Sequence, residues 1–262
     1  MAVPSVCLCI PTYDERESLP RTLSAVRRAA PGVHVLVIDD NSPDGTGAVA
    51  EDIAGRDARV QVLHRPGKAG LGPAYVAGFR WALGQGFDVV AQMDADGSHR
   101  PEDIPRLLAA LADADAVLGS RWVPGGAARN WPWRRALLSR AANRYVRTAL
   151  RLPLGDATGG FRAFHRHALE TIDLGSLQSE GYCFQVDVAR RLLAAGLRVV
   201  EVPIVFSDRE FGTSKMSGRI VREALSRVTR WSLEPLLATR GSGDRGLRRH
   251  PGVRHGAPAP TR

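Results

Sequence analysis

Long apolar runs are missing from this sequence. No stretch approaches the roughly 20 residues needed to cross a bilayer, and the start, Met1-Ala2-Val3-Pro4-Ser5, lacks the basic opening of a secretory signal. The expectation is a chain made and kept in the cytosol. Cysteine is scarce: Cys7 and Cys9 flank one residue of an apolar run and Cys183 stands alone, which gives neither a zinc spacing nor a disulfide framework. All three are expected to be reduced core residues. Aromatics make up only 6%, too few to favour a nucleic-acid module that stacks bases. There is no internal repeat. Lysine is nearly absent, since 34 of the 36 basic residues are arginine. The two exceptions, Lys68 and Lys215, fall in loops where a compact ammonium suits a phosphate.

What remains is ordinary globular composition, 44% hydrophobic and 24% charged over 262 residues, enough for one large domain or two small ones. The net charge of +9 is uneven. Residues 1–100 carry ten Lys+Arg against twelve Asp+Glu, leaving 26 against 15 for residues 101–262. The second part therefore faces something anionic: nucleic acid, a phospholipid surface or a phosphorylated substrate.

Along the chain, strand and helix patterns alternate. Residues 5–10, 33–38, 60–63 and 87–93 read as buried strands, the first ended by Pro11, and residues 18–30, 45–55 and 72–83 have helical spacing. Such βαβ units imply an α/β fold, a mostly parallel sheet with helices on both faces. Ligands bind such sheets beyond the carboxyl ends of the strands. Those ends carry Thr12-Tyr13-Asp14-Glu15, Asp39-Asp40, His64-Arg65-Pro66-Gly67-Lys68 and Asp94-Ala95-Asp96. Asp94 and Asp96, two apart at a strand end, share one face, and like charges so close are costly without a cation between them. All-oxygen ligands favour Mg2+ or Mn2+, with phosphate oxygens completing the shell. The competing reading is a solvated Asp-Ala-Asp-Gly turn that caps the next helix.

Eight blocks in order, IPTYDE (10–15), VIDDNSPDGTG (37–47), RPGKAGLGPAYVAGF (65–79), QMDADGSH (92–99), LGSR (118–121), DATGGFRAF (156–164), GYCFQVDV (181–188) and DREFGTSKMS (208–217), resemble the polyprenol-phosphate (dolichol-phosphate) mannosyltransferases among the family-two glycosyltransferases. NWPWRR (130–135) and SKMSG (214–218) point to the bacterial form without transmembrane helices. The resemblance covers roughly residues 5–235. It implies a GT-A fold and an inverting β-D-mannosyl transfer from GDP-mannose to a polyprenyl (dolichyl-type) monophosphate. Carried over by position, it implies that Pro11, Tyr13, Glu15, Asp39, Asp40, Lys68 and Asp94 bind the donor nucleotide, and that Asp94, Asp96 and Ser98 hold the metal. Arg121, Arg135, Ser139, Arg209 and Lys215 would hold the acceptor phosphate, with Asp96, Arg121 and Arg209 acting in catalysis. Alternatives are glucosyl transfer from UDP-glucose to the same lipid, and a non-catalytic protein that binds nucleotide-sugar or nucleic acid.

A phosphate monoester has its second pKa near ~6, so the acceptor is already nucleophilic at neutral pH and needs no general base. Asp187 is therefore as well explained as a helix-face carboxylate beside an arginine. Residues 121–155 hold eight arginines and no acid. Arg140, Arg144, Arg147 and Arg151 are expected on one side of a helix near 134–151, with Leu138, Ala142, Tyr145 and Ala149 on the other, either a basic amphipathic helix or an ordinary surface one. Residues 216–237 form a second candidate, with Ile220, Ala224, Val228 and Trp231 in one stripe. The expected organisation is a catalytic domain over 1–240 and a disordered basic tail over 241–262. The acceptor's tail stays in the bilayer, so the protein is expected to work as a peripheral protein on the cytoplasmic face of the membrane. Its partners would be the anionic lipid surface, an integral-membrane protein as a further tether, and no nucleic acid.

Overall fold

The computed structural model describes residues 3–177, 181–208 and 225–233. Its first half alternates as the hydropathy pattern requires: β1 (Val6–Thr12), α1 (Leu19–Ala29), β2 (His34–Asp39), α2 (Thr46–Ala54), β3 (Val60–His64), α3 (Leu71–Gly84) and β4 (Val89–Gln92). Then follow α4 (Ile104–Ala110), β5 (Ala116–Ser120), β6 (Ala127–Arg129), α5 (Trp133–Leu150), β7 (Arg162–His165), α6 (Arg166–Thr171), α7 (Gly181–Ala194), β8 (Val199–Pro203) and β9 (Val205–Ser207). Residues 225–233 form a further helix, α8.

The main sheet runs β3-β2-β1-β4-β7-β5-β8, and β6 pairs with β9 beside it. All pairings are parallel except those of β7 with β4 and β5. The period-two alternation of buried strands splits the core into two layers. Leu8, Ile10, Val35 and Val37 face one layer with α1 and α4. Cys7, Cys9, Leu36 and Ile38 face the other with α3, α6 and α7. The three cysteines are buried and free, as expected. Gly78 lets α3 lie close on the sheet, because a Cβ there would overlap the Ile38 side chain and press on Cys9 Sγ. A third layer joins α5, α7 and α8 through Val146, Val186 and Val228, with Tyr145 and Trp231 packed against it.

Pro11 does not end the first strand, which continues to Thr12 in register with Asp39. The backbone directions give the reason. Met93 N–H donates to Cys9 O on the β4 side, and Asp40 N–H donates to Thr12 O on the β2 side. Residue 11 therefore directs its missing N–H toward β4, whose pairing with β1 stops at Cys9 and Gln92. The winding reverses between β1 and β4, with β2 and β3 on one side and β7, β5 and β8 on the other. Ligand-binding crevices open at such a switch point.

On α5 Arg140, Arg144 and Arg147 are exposed and Ala142, Tyr145 and Ala149 on the other side are half-buried, as the spacing implies. Leu138, expected on the side away from the arginines, is 56% exposed, while Asn143 and Val146 are buried. Asn143 ties the helix to the neighbouring loop: its Nδ2 donates to Thr158 Oγ1 at 3.1 Å and to Ser139 O at 3.1 Å. The expected helix over 216–237 lies inside the described residues only at 225–233, and the tail over 241–262, Arg209 and Lys215 lie outside them.

Candidate active site

The carboxyl ends of β1, β2 and β4 and the loop after β3 come together in one cleft of about 410 Å³. It gathers Pro11, Tyr13, Glu15, Asp40, Lys68, Asp94, Asp96 and Ser98 from those ends, and Arg121 and Arg135 from after β5 and from α5. Lys68 Nζ lies 3.9 Å from the centre of the Tyr13 ring. Asp40 is held by Arg65 and by the Ala69 N–H at 3.3 Å. Asp39 and Ser139 do not line the cleft. The Asp39 carboxylate is buried in the turn it builds, accepting from Ser42 Oγ at 2.5 Å and from the Ser42 N–H at 3.3 Å.

The acidic loop takes its shape from Gly97, whose φ of 76° suits glycine. Asp96 Oδ1 accepts from the Ser98 N–H at 3.1 Å. Asp94 N–H donates to His99 Nδ1 at 3.2 Å, so the imidazole proton sits on Nε2. Burial keeps His99 neutral, since desolvation lowers its pKa more than Asp94 and Asp96 raise it.

The donor set for a divalent cation is two carboxylates and a hydroxyl, all on the cleft wall. Ser98 Oγ is buried without a hydrogen-bond partner, so this oxygen is available to a ligand. Among the described residues no group of three or more His, Cys, Asp or Glu side chains is placed to hold a metal. The arrangement fits a hard cation that takes the rest of its shell from phosphate oxygens and water.

The opposite wall is cationic and aromatic. Arg121 is buried in a bidentate pair with Asp156, Nε to Oδ2 at 2.6 Å and Nη2 to Oδ1 at 2.7 Å, and also donates to Thr158 Oγ1. Burial alone would raise the Asp156 carboxyl, but the charge and hydrogen bonds of Arg121 outweigh it and hold Asp156 below its ordinary value. Arg135 is more open, paired with Asp208 at 2.7 Å and lying 4.0 Å from the centre of the Trp131 ring.

Several functional neighbours were not singled out from the sequence. Thr158, Gly159, Gly160, Tyr182, Gln185, Trp131 and Phe206 all line the cleft. Tyr75, fully buried, donates to Asp94 Oδ1 at 3.0 Å. The loop ahead of β7 rests on Arg162, which is wholly buried and donates to the carbonyls of Ala157, Gly159 and Gln185. Burial pulls its pKa down to about 9, which leaves it charged at neutral pH. Asp187 is buried and bound by Arg190 and Arg191.

The sequence matches the description Glycosyl transferase family 2 over residues 7–173. It is 55% identical over 226 residues to a polyprenol monophosphomannose synthase of Mycolicibacterium smegmatis, spanning 86% of this chain and 85% of that protein. It is equally 55% identical over 228 residues to an undecaprenyl-phosphate mannosyltransferase of Micrococcus luteus, spanning 87% and 94%. A dolichol-phosphate mannosyltransferase of Pyrococcus furiosus is 35% identical over 230 residues, 86% of this chain and 63% of that one. Among solved structures, glucosyl-3-phosphoglycerate synthase from Mycobacterium tuberculosis, in complex with Mn2+, UDP and phosphoglyceric acid, superposes with a TM-score of 0.59 at 18% identity, covering 93% and 81% of the two chains. That likeness is one of fold, and the fold is GT-A.

Proposed function

Because the chain belongs to glycosyl transferase family 2 and is a glycosyltransferase, we propose that it transfers mannose from GDP-mannose to a polyprenyl monophosphate with inversion, giving β-D-mannosyl phosphopolyprenol. The observation that carries this reading is a single cleft with a carboxylate wall for a nucleoside diphosphate and its cation, facing an arginine and aromatic wall for a second phosphate. The names of the relatives at 55% identity agree with it.

In this reading Asp40, Lys68, Tyr13 and Glu15 orient the nucleotide, and Asp94, Asp96 and Ser98 hold Mg2+ or Mn2+. When bound, the cation supplies counter-charge to the departing diphosphate. Arg135 and Arg121 hold the acceptor phosphate in line with the anomeric carbon. An oxygen of that phosphate forms the new bond as the bond to the diphosphate breaks from the opposite side. The acceptor dianion attacks without a base, in accord with Asp187 being engaged by arginines.

The acceptor's lipid tail places this reaction at a membrane, and we assign the protein to the cytoplasmic face as a peripheral protein. Among the described residues no helix is long and apolar enough to cross a membrane. Beside the cleft residues Trp131 and Arg135, the first turns of α5 expose Trp133 at 70%, Leu137 at 59% and Leu138 at 56%. Large apolar groups interspersed with arginines are suited to a bilayer interface.

The test is transfer of radiolabel from GDP-mannose and from UDP-glucose to polyprenyl phosphate, with extraction into organic solvent. Mannolipid should form only with divalent metal present and glucolipid should not form. Full transfer in excess chelator, or a preference for UDP-glucose, would overturn the assignment.

A further inference from the structure

We propose that Tyr75 is a positioning residue for the cation and diphosphate site, fixing the orientation of the Asp94 carboxylate from inside the core. The inference rests on the reading above, in which Asp94 serves the metal, and deepens it.

Tyr75 sits on α3 and is wholly buried. Its ring stacks with Phe79 at 5.8 Å and Phe184 at 5.9 Å between centroids, and Phe79 meets Phe164 edge-on at 5.7 Å. The ring therefore has no freedom to follow a moving partner, and its hydroxyl is a fixed point at the end of an apolar layer. That hydroxyl donates to Asp94 Oδ1 at 3.0 Å. A phenol buried without an acceptor is costly, so tyrosine and carboxylate hold each other. Burial first, and then the charge of Asp94, raise the Tyr75 pKa well above its ordinary value, so it stays a donor throughout the neutral range.

The other sides of Asp94 are constrained as well. Its N–H is held by His99 Nδ1. Gly160, which has no side chain, leaves room beside both carboxylate oxygens. The carboxylate side chain, 30% exposed, is left to face the cleft it lines. Partners behind metal ligands orient them and tune their affinity. Here the partner is supplied by a helix on the far side of the sheet from α1, so the geometry of the acidic loop is tied to the packing of the core.

Tyr75→Phe tests this, because it keeps ring volume and stacking and removes only the hydroxyl. Mn2+ is titrated into the full chain with GDP present, and free Mn2+ is read by its electron paramagnetic resonance signal. Tyr75→Phe should bind Mn2+ about 10- to 100-fold more weakly, and its turnover at limiting Mn2+ should fall but recover at saturating Mn2+. Wild-type Mn2+ affinity in Tyr75→Phe, or a loss of turnover that excess Mn2+ does not restore, would overturn the positioning role. Asp96→Ala separates the two layers of inference. If Asp96→Ala loses Mn2+ and Tyr75→Phe does not, only the role of Tyr75 falls. If neither variant changes Mn2+ binding, or the wild type takes up none, the metal reading falls and the role of Tyr75 with it.

Discussion

Arg121 and Arg135 line the same cleft under different constraints. The Arg121 side chain is 4% exposed and clamped to a fully buried carboxylate, whereas Arg135 is 33% exposed and its partner Asp208 39%. Removing Arg121 would leave Asp156 buried without its counter-ion, so lost activity there would report on folding as much as on catalysis. Arg135 is the cleaner probe. Arg135→Ala should lower kcat/KM for polyprenyl phosphate roughly 10- to 150-fold, the range of a hydrogen bond to a charged group, while calorimetric titration shows unchanged GDP-mannose binding. Loss of donor binding would contradict the division of the cleft. At this scale the sequence displayed the cleft-lining groups, because Asp40, Lys68, Asp94 and Asp96 stand within a few residues of strand ends. It hid their supports. Tyr75 reads as one more apolar residue of a buried helix until its hydroxyl is seen against Asp94. Likewise Gln92 meets Gln185 across 93 residues, a contact no local pattern encodes.

The element most dependent on such distant support is the loop from Gly155 to Phe161, between α5 and β7. Glu201 on β8 accepts from the N–H groups of Gly155 and Asp156, Arg162 gathers the carbonyls of Ala157 and Gly159, and Asp156 receives Arg121. Asp156→Asn should therefore cost about 3–5 kcal/mol, the range for breaking a buried pair, read as a lowered urea midpoint. The sign of its pH dependence follows from the depressed carboxyl. Folded Asp156 titrates below its ordinary value, so its contribution is fully present above the unfolded pKa of about 3.9 and is lost as pH falls through the lower folded value. The wild-type advantage over Asp156→Asn should shrink through that acid window and hold steady from pH ~5 to 7. An advantage growing toward low pH would refute the assignment. Periodicity gave the elements around this loop but not the polar contacts that anchor them. α5 shows its arginine face in the sequence, but no local pattern marks Asn143, which is buried and donates to Thr158 Oγ1 across the loop.

For the whole molecule, the excess positive charge falls in residues 101–262, and Trp133, Leu137 and Leu138 are exposed in the same part of the chain. Tyr145 and Trp231, the aromatics of the two helical stripes, are committed inside the fold. Tyr145 hydroxyl meets Thr229 Oγ1 at 2.6 Å, Arg190 lies over the Trp231 ring at 4.9 Å, and both aromatics pack against the third core layer. The groups left for the proposed membrane contact are Trp133, Leu137 and Leu138, with the Arg134 guanidinium 5.4 Å from the Trp133 ring centre. Burying an apolar side chain of this size contributes about 1.5–3 kcal/mol, and each basic residue close to anionic lipid about 1 kcal/mol. The two contributions differ in salt response, which separates them. Flotation with vesicles containing phosphatidylglycerol should show binding that weakens in high salt, from the arginines, with a remainder that resists salt, from the apolar turns. Replacing Trp133 and Leu137 together by alanine should remove that remainder and lower affinity at least ~10-fold, while transfer to a short acceptor in detergent continues, because neither side chain lines the cleft. If the double variant floats as well as the wild type, α5 does not contact the bilayer, and an integral-membrane partner becomes the means by which the enzyme meets its lipid.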